Sequence, residues 1–79
     1  MYFVYAIYSE IRNYIYVGLT NDISRRLKEH NLGYNKTTRP YRPFRLILSE
    51  KFETRLKART REKYLKSGIG KEFLKTLIV

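Results

Sequence analysis

The chain contains no cysteine, so it has no disulfide staple, thiol nucleophile or thiolate metal site, and a small core must hold the fold unaided. That absence also fits a cytoplasmic location. Acidic residues are scarce, 7 against 17 lysines and arginines, for a net charge of +10 over 79 residues. A field of that sign in so short a chain calls for an anionic partner, nucleic acid first. There is a single histidine, and no repeat or low-complexity linker. No apolar run approaches the roughly 20 residues of a membrane span, and the N-terminal apolar stretch is too short and too rich in tyrosine for a signal peptide. One small domain over residues 1–79, without a membrane segment, is expected.

What the chain does have is a dense aromatic start. Residues 2–9 (YFVYAIYS) are almost continuously apolar or aromatic and read as a strand buried on both faces. After a turn at residues 10–13, residues 14–20 (YIYVGLT) repeat the pattern, which predicts an antiparallel hairpin. Alternation puts Phe3, Tyr5 and Ile7 on one face and Tyr14, Tyr16 and Gly18 on one face, with Tyr5 opposite Tyr16 as the simplest register. Thr20 or Asn21 can cap a helix that starts near Asp22 and runs to about Asn31, where Gly33 stops it. Asp22, Arg26 and His30 then form a stripe beside Ile23 and Leu27, at the border of core and solvent.

The stretch from Gly33 to Pro43 holds no acid and reads as a basic loop, with Tyr34 and Tyr41 available to stack on bases. Residues 44–51 form a third strand with Phe44, Leu46 and Leu48 on one face. A second helix from Glu53 or Thr54 to Ser67, ended by Gly68, is basic except for Glu62, which shares a face with Ala58 and Leu65. A last helix, Lys71 to about Ile78, packs by Phe73, Leu74, Leu77 and Ile78. The predicted fold is α+β: a small, mostly antiparallel three-stranded sheet flanked by helices, in the order β-β-α-β-α-α.

Phosphodiester hydrolysis needs a group that activates water, a cation for the non-bridging oxygens, and usually a metal for the leaving oxygen. Arg26 suits the second need, since a guanidinium donates two parallel hydrogen bonds to phosphate; read alone it is more simply a solvated helix arginine. Glu62 is the candidate metal ligand, one carboxylate sufficing for magnesium when substrate and water complete the shell; an ion pair with an arginine is its bland alternative. Asp22 is explained by helix capping. His30 can orient or move a proton, and a tyrosine such as Tyr5 or Tyr16 acts as a base only if nearby positive charge depresses its phenol. Gly18 lets a substrate or the following helix approach the sheet.

Together, the strand carrying Tyr5, the Tyr16-Val17-Gly18 triplet, Arg26, His30 and a downstream Glu62 resemble the GIY-YIG nuclease superfamily, particularly small members similar to the nuclease domain of the excision-repair subunit UvrC. In the first motif, Phe3-Val4-Tyr5, Phe3 replaces the usual glycine. Leu19 stands where some relatives carry lysine, and no asparagine follows the Glu62 helix. The resemblance implies a metal-dependent endonuclease, acting first on DNA in repair or recombination, with one Mg2+ or Mn2+ on Glu62. It makes Tyr16 the base or water-activating phenol, Tyr5 its hydrogen-bonding partner, Arg26 the phosphate stabiliser in preference to Arg25, and His30 a phosphate-positioning or proton-transfer group. The site would then be one side of the sheet, with Tyr16 and Arg26 at its centre.

Nucleic acid would run over Gly18, Lys36, Arg39, Arg42, Arg55, Arg59 and Lys63, and a protein partner would supply any further specificity. The competing reading is a non-catalytic basic module that binds through the same arginines and lysines and is indifferent to Glu62.

Overall fold

A computed structural model describes residues 1–78. Its elements run in the predicted order: β1 (Tyr2–Ser9), β2 (Ile15–Thr20), α1 (Ile23–Leu32), a 3-10 turn (Arg39–Tyr41), β3 (Phe44–Phe52), α2 (Arg55–Lys66) and α3 (Gly68–Lys75). The sheet order is β2-β1-β3 with both pairings antiparallel, so β1 is the central strand. This is why its sequence is apolar on both faces. Val4 and Ala6 point into a cluster with Val17 of β2, Ala58 and Leu65 of α2, and Leu74 of α3, while Tyr5 and Ile7 point the other way, toward Phe44, Tyr14, Tyr16 and the α1 anchors Ile23 and Leu27. Helix α1 thus covers one face of the sheet, and α2 with α3 covers the other.

The hairpin register differs from the simplest one. Tyr5 pairs with Gly18, and Tyr16 lies opposite Ile7. The loop at residues 10–13 has no Asn-Gly signal to fix the pairing; it is closed instead by the Ser9 hydroxyl, which accepts from the N–H groups of Ile11 and Arg12 at 3.3 and 3.1 Å. A slip by an even number of residues leaves the faces unchanged, so Tyr5 and Tyr16 still share a side. Alternation does fail in β3. The register shifts between Ala6 and Ile7, whose partners are Leu48 and Leu46, and this bulge sets Ile47 and Leu48 both against the α2 side while Phe44 stays with Tyr5. Leu46 is left substantially exposed.

Asp22, rather than Thr20 or Asn21, is the α1 cap: its carboxylate accepts from the Arg25 N–H at 3.0 Å, and its own N–H is held by the Thr20 hydroxyl at 3.1 Å. Gly33 ends the helix in the left-handed region (φ 82°), which a β-carbon would strain. Asn31 fastens α1 to the sheet by a reciprocal pair with the Phe44 backbone, 2.7 Å from the N–H and 3.2 Å to the carbonyl. Thr54 caps α2. Ser67 serves as both the end of α2 and the cap of α3, so Gly68 opens the last helix instead of stopping the previous one. Helix α3 ends at Lys75, short of the expected Ile78; Leu74 within it is buried and Leu77 just beyond it packs against the core, but Phe73 is exposed and lies beneath the Arg61 guanidinium.

Candidate active site

The residues singled out from the sequence do not all gather on one face. Tyr5 and Tyr16 stand on the α1 side of adjacent strands, ring centroids 6.3 Å apart, and α1 brings His30 against both, at 6.0 and 4.9 Å. Arg26 sits one helical turn before His30. Glu62 arrives from α2, which packs on the opposite face, so the site wraps around the sheet instead of lying on one side of it. Its charge still reaches the Tyr5 phenol.

Tyr5 is almost entirely buried, and its hydroxyl bonds the His30 Nε2 at 2.9 Å. Its partner is therefore His30, not Tyr16. Burial pushes the phenol up to about 12, the field of Tyr16 adds to this, and the Arg26 guanidinium beside it pulls the other way. Tyr5 is accordingly a neutral phenol at any physiological pH. Room for it comes from Gly18: a β-carbon there would stand 2.5 Å from the Tyr5 hydroxyl and 2.6 Å from its ring. The glycine makes space for a protein side chain, a more local purpose than the approach of substrate or helix.

His30 is fully buried instead of lying at the core border, and both ring nitrogens are engaged, Nε2 by Tyr5 and Nδ1 by the Thr38 hydroxyl at 2.8 Å. Burial, assisted by the charge of Arg26, lowers its pKa to about 4. His30 is neutral at pH 7 and faces no solvent.

Thr38 is also fully buried, a placement nothing in a basic loop of this composition announces. The segment folds back because Asn35 makes an Asx turn, its side chain accepting from the Thr37 and Thr38 N–H groups at 2.8 and 3.4 Å, and because the Arg39 Nε donates to the Gly33 carbonyl at 2.8 Å.

The depressed histidine makes stability pH-dependent. The unfolded chain takes up this proton near pH 6.5 and the folded protein only near 4, so the contribution is complete above 6.5 and is lost as pH falls through that interval. Urea midpoints should report a loss of about 2 kcal/mol between pH 7.5 and 5 from this group alone.

Arg26 is half-buried and bonds Glu29 at 3.0 Å, which raises its already high pKa. Arg25, the alternative, is more exposed and spends its guanidinium on Asn21, Asp22 and Glu29 at the helix surface. Of the two, Arg26 is the one beside Tyr5. The Tyr16 hydroxyl has no protein hydrogen bond among the described residues.

Glu62 is buried, as its position between Ala58 and Leu65 predicts, and its oxygens are held by Arg59 at 3.3 Å and Lys66 at 3.1 Å. No group of three or more His, Cys, Asp or Glu that could hold a metal occurs among the described residues. The donor set is one hard carboxylate, which fits magnesium or manganese completed by water and substrate oxygens and does not fit a metal caged by protein.

Of the basic residues expected to carry nucleic acid, Lys36, Arg39 and Arg42 lie on the segment beside α1, whereas Arg55, Arg59 and Lys63 lie on α2 across the sheet. Arg39 and Arg42 are partly spent on loop backbone, and Arg59 on Glu62. Tyr41 is not available for base stacking: one face is covered by Tyr14 at 3.9 Å, and the Arg12 guanidinium lies 5.9 Å from its ring. Tyr34 is well exposed.

The family model described as the GIY-YIG catalytic domain matches residues 1–73. A UPF0213 protein of Haloquadratum walsbyi is 44% identical over 54 residues, 67% of this chain and 61% of the relative. A UPF0213 protein of Bacillus velezensis is 49% identical over 47 residues, 58% of this chain and 48% of the relative. The chain thus matches about half to three fifths of the length of these curated relatives. The solution structure of a UPF0213 protein from Bacillus halodurans aligns with a TM-score of 0.57 and 34% identity, covering 99% of this chain and 86% of that one.

Proposed function

Because the chain belongs to the GIY-YIG catalytic domain family, we propose that it is a metal-dependent endonuclease that hydrolyses nucleic-acid phosphodiester bonds, with DNA as the substrate. The observation that carries the proposal is the grouping of Tyr16, whose hydroxyl has no hydrogen-bond partner among the described residues, with the half-buried Arg26 and the locked Tyr5–His30 pair.

In this reading Tyr16 holds the attacking water. Arg26 donates to the non-bridging oxygens, where charge builds in the transition state, from a partly desolvated position that strengthens it. Tyr5 is too reluctant to ionise to serve as the base; it fixes the geometry between Arg26 and His30. His30, sealed from solvent, acts through Tyr5 and does not touch phosphate. Glu62 would hold the metal, which when bound supplies positive charge for the leaving oxygen. Arg59 and Lys66 pair with the buried carboxylate and hold it in place. The net charge of +10 supplies affinity without base readout.

Nicking of supercoiled plasmid by the purified protein tests this. The wild type should nick with magnesium or manganese and not with chelator, and Glu62→Gln should lose the metal-dependent rate while retaining DNA binding. Equal nicking by both proteins, or none by the wild type on any DNA structure with either metal, would return the chain to the non-catalytic reading.

A further inference from the structure

The chain of buried hydrogen bonds behind the site has a determinable direction. Tyr5, His30 and Thr38 are each at most 1% exposed and are linked in series, Tyr5 hydroxyl to Nε2 at 2.9 Å and Nδ1 to the Thr38 hydroxyl at 2.8 Å. A neutral imidazole carries one proton, so one of these nitrogens donates and the other accepts. Both ends of the series point the same way. At the Tyr5 end, the hydroxyl's one hydrogen bond among the described residues is to Nε2; were that nitrogen protonated, the phenol hydrogen would be buried with no acceptor there, and the nearby Arg26 guanidinium can only donate. At the Thr38 end, the hydroxyl donates to the Asn35 carbonyl at 3.5 Å, which can only accept, so the oxygen is left to accept from Nδ1.

We propose that Thr38 is a positioning residue: it fixes His30 as the Nδ1–H tautomer, so that Tyr5 must donate its proton to Nε2 and presents its oxygen lone pairs to Arg26. The sequence runs Tyr5 O–H to Nε2, Nδ1–H to Thr38, and Thr38 O–H to the Asn35 carbonyl. Polarised in one direction, it holds the phenol oxygen as an acceptor that orients the guanidinium. It also explains why a threonine is delivered to this spot by a segment that spends its Asx turn and Arg39 on folding back. The tautomer follows from the hydrogen bonds alone, while its consequence for cleavage rests on the nuclease reading.

Because His30 is the one histidine in the chain, its side-chain nitrogens can be read without ambiguity by long-range proton–nitrogen NMR at pH 7. The expected wild-type spectrum shows a protonated Nδ1 and a bare Nε2, the reverse of the form that free neutral histidine favours. Thr38→Ser should keep that pattern; Thr38→Val strands the Nδ1 proton without an acceptor and leaves only the Tyr5 end to oppose the Nε2–H form, so the two tautomers should mix. Cleavage should fall about tenfold in Thr38→Val and be restored in Thr38→Ser, the size expected for a group acting through another. A wild-type spectrum with Nε2 protonated, or Thr38→Val spectra identical to wild type, would overturn the proposal. If Thr38→Val fails to fold, the wild-type and Thr38→Ser spectra still decide it. Absent cleavage with the Nδ1–H tautomer present would sink the nuclease reading and leave the assignment standing.

Discussion

Arg26→Ala should lower the rate of DNA cleavage by about 10²- to 10³-fold, the loss typical when a preorganised donor to developing charge is removed. The side chain is 31% exposed, so its charge acts in a medium less screening than bulk water, and it stands near the Tyr5 phenol while Glu29 holds it at 3.0 Å. The fold should survive. Alanine is the better helix former in the middle of α1, and Glu29 keeps Arg25 at 3.8 Å as a second partner, so stability should change by no more than about 1 kcal/mol. DNA affinity should fall only slightly, because the remaining lysines and arginines still set the field. Arg26→Lys should recover only part of the rate, since an ammonium replaces the charge but not the planar pair of donors. Single-turnover cleavage measured with DNA binding on the same preparations separates the two quantities.

Gly18→Ala carries the second large effect, and its sign is set by competition. Removing a glycine from a strand interior normally stabilises by roughly 0.5–1 kcal/mol. Here the new methyl would meet the Tyr5 hydroxyl at 2.5 Å, and the phenol cannot swing aside because its ring is buried and its hydroxyl is bonded to His30. Overpacking of this kind costs about 1–3 kcal/mol, so the net change should be destabilising, with loss of the Tyr5–His30 bond and of activity. Gly68→Ala is the matching control. Nothing lies within 4 Å of a β-carbon at Gly68, so that substitution should be neutral or mildly stabilising. Urea midpoints for the two variants against wild type check the opposed signs.

Much of this was legible in the chain because β1 is central. A strand covered on both faces must be apolar or aromatic nearly throughout, and residues 2–8 are. Period-two alternation then keeps Tyr5 and Tyr16 on one side for any pairing that differs by an even number of residues, which is why a register offset by two left them together. The β3 bulge was not legible, since Phe44, Leu46 and Leu48 alternate perfectly in sequence and only the pairing with Ala6 and Ile7 reveals the inserted residue.

Glu62 could be picked out as an acid on an otherwise aliphatic helix stripe. That α2 would cover the face opposite Tyr5 could not be, because handedness of packing is decided by both clusters together. His30 and Thr38 show the deepest gap. Burial of a lone histidine depends on what closes over it, and the closing residue sits in a segment whose composition reads as solvent-exposed. The Asx turn at Asn35 is the one local signal there, visible only once its acceptor role is known.

The most direct test of the site as drawn is metal-dependent nicking by wild type and Tyr16→Phe, a change that removes one oxygen from a half-buried ring. Wild type should nick with magnesium and Tyr16→Phe should lose that activity by about 10²-fold, the loss expected when the attacking water is no longer positioned, at unchanged stability and DNA affinity. A Tyr16→Phe protein that nicks at the wild-type rate would contradict it.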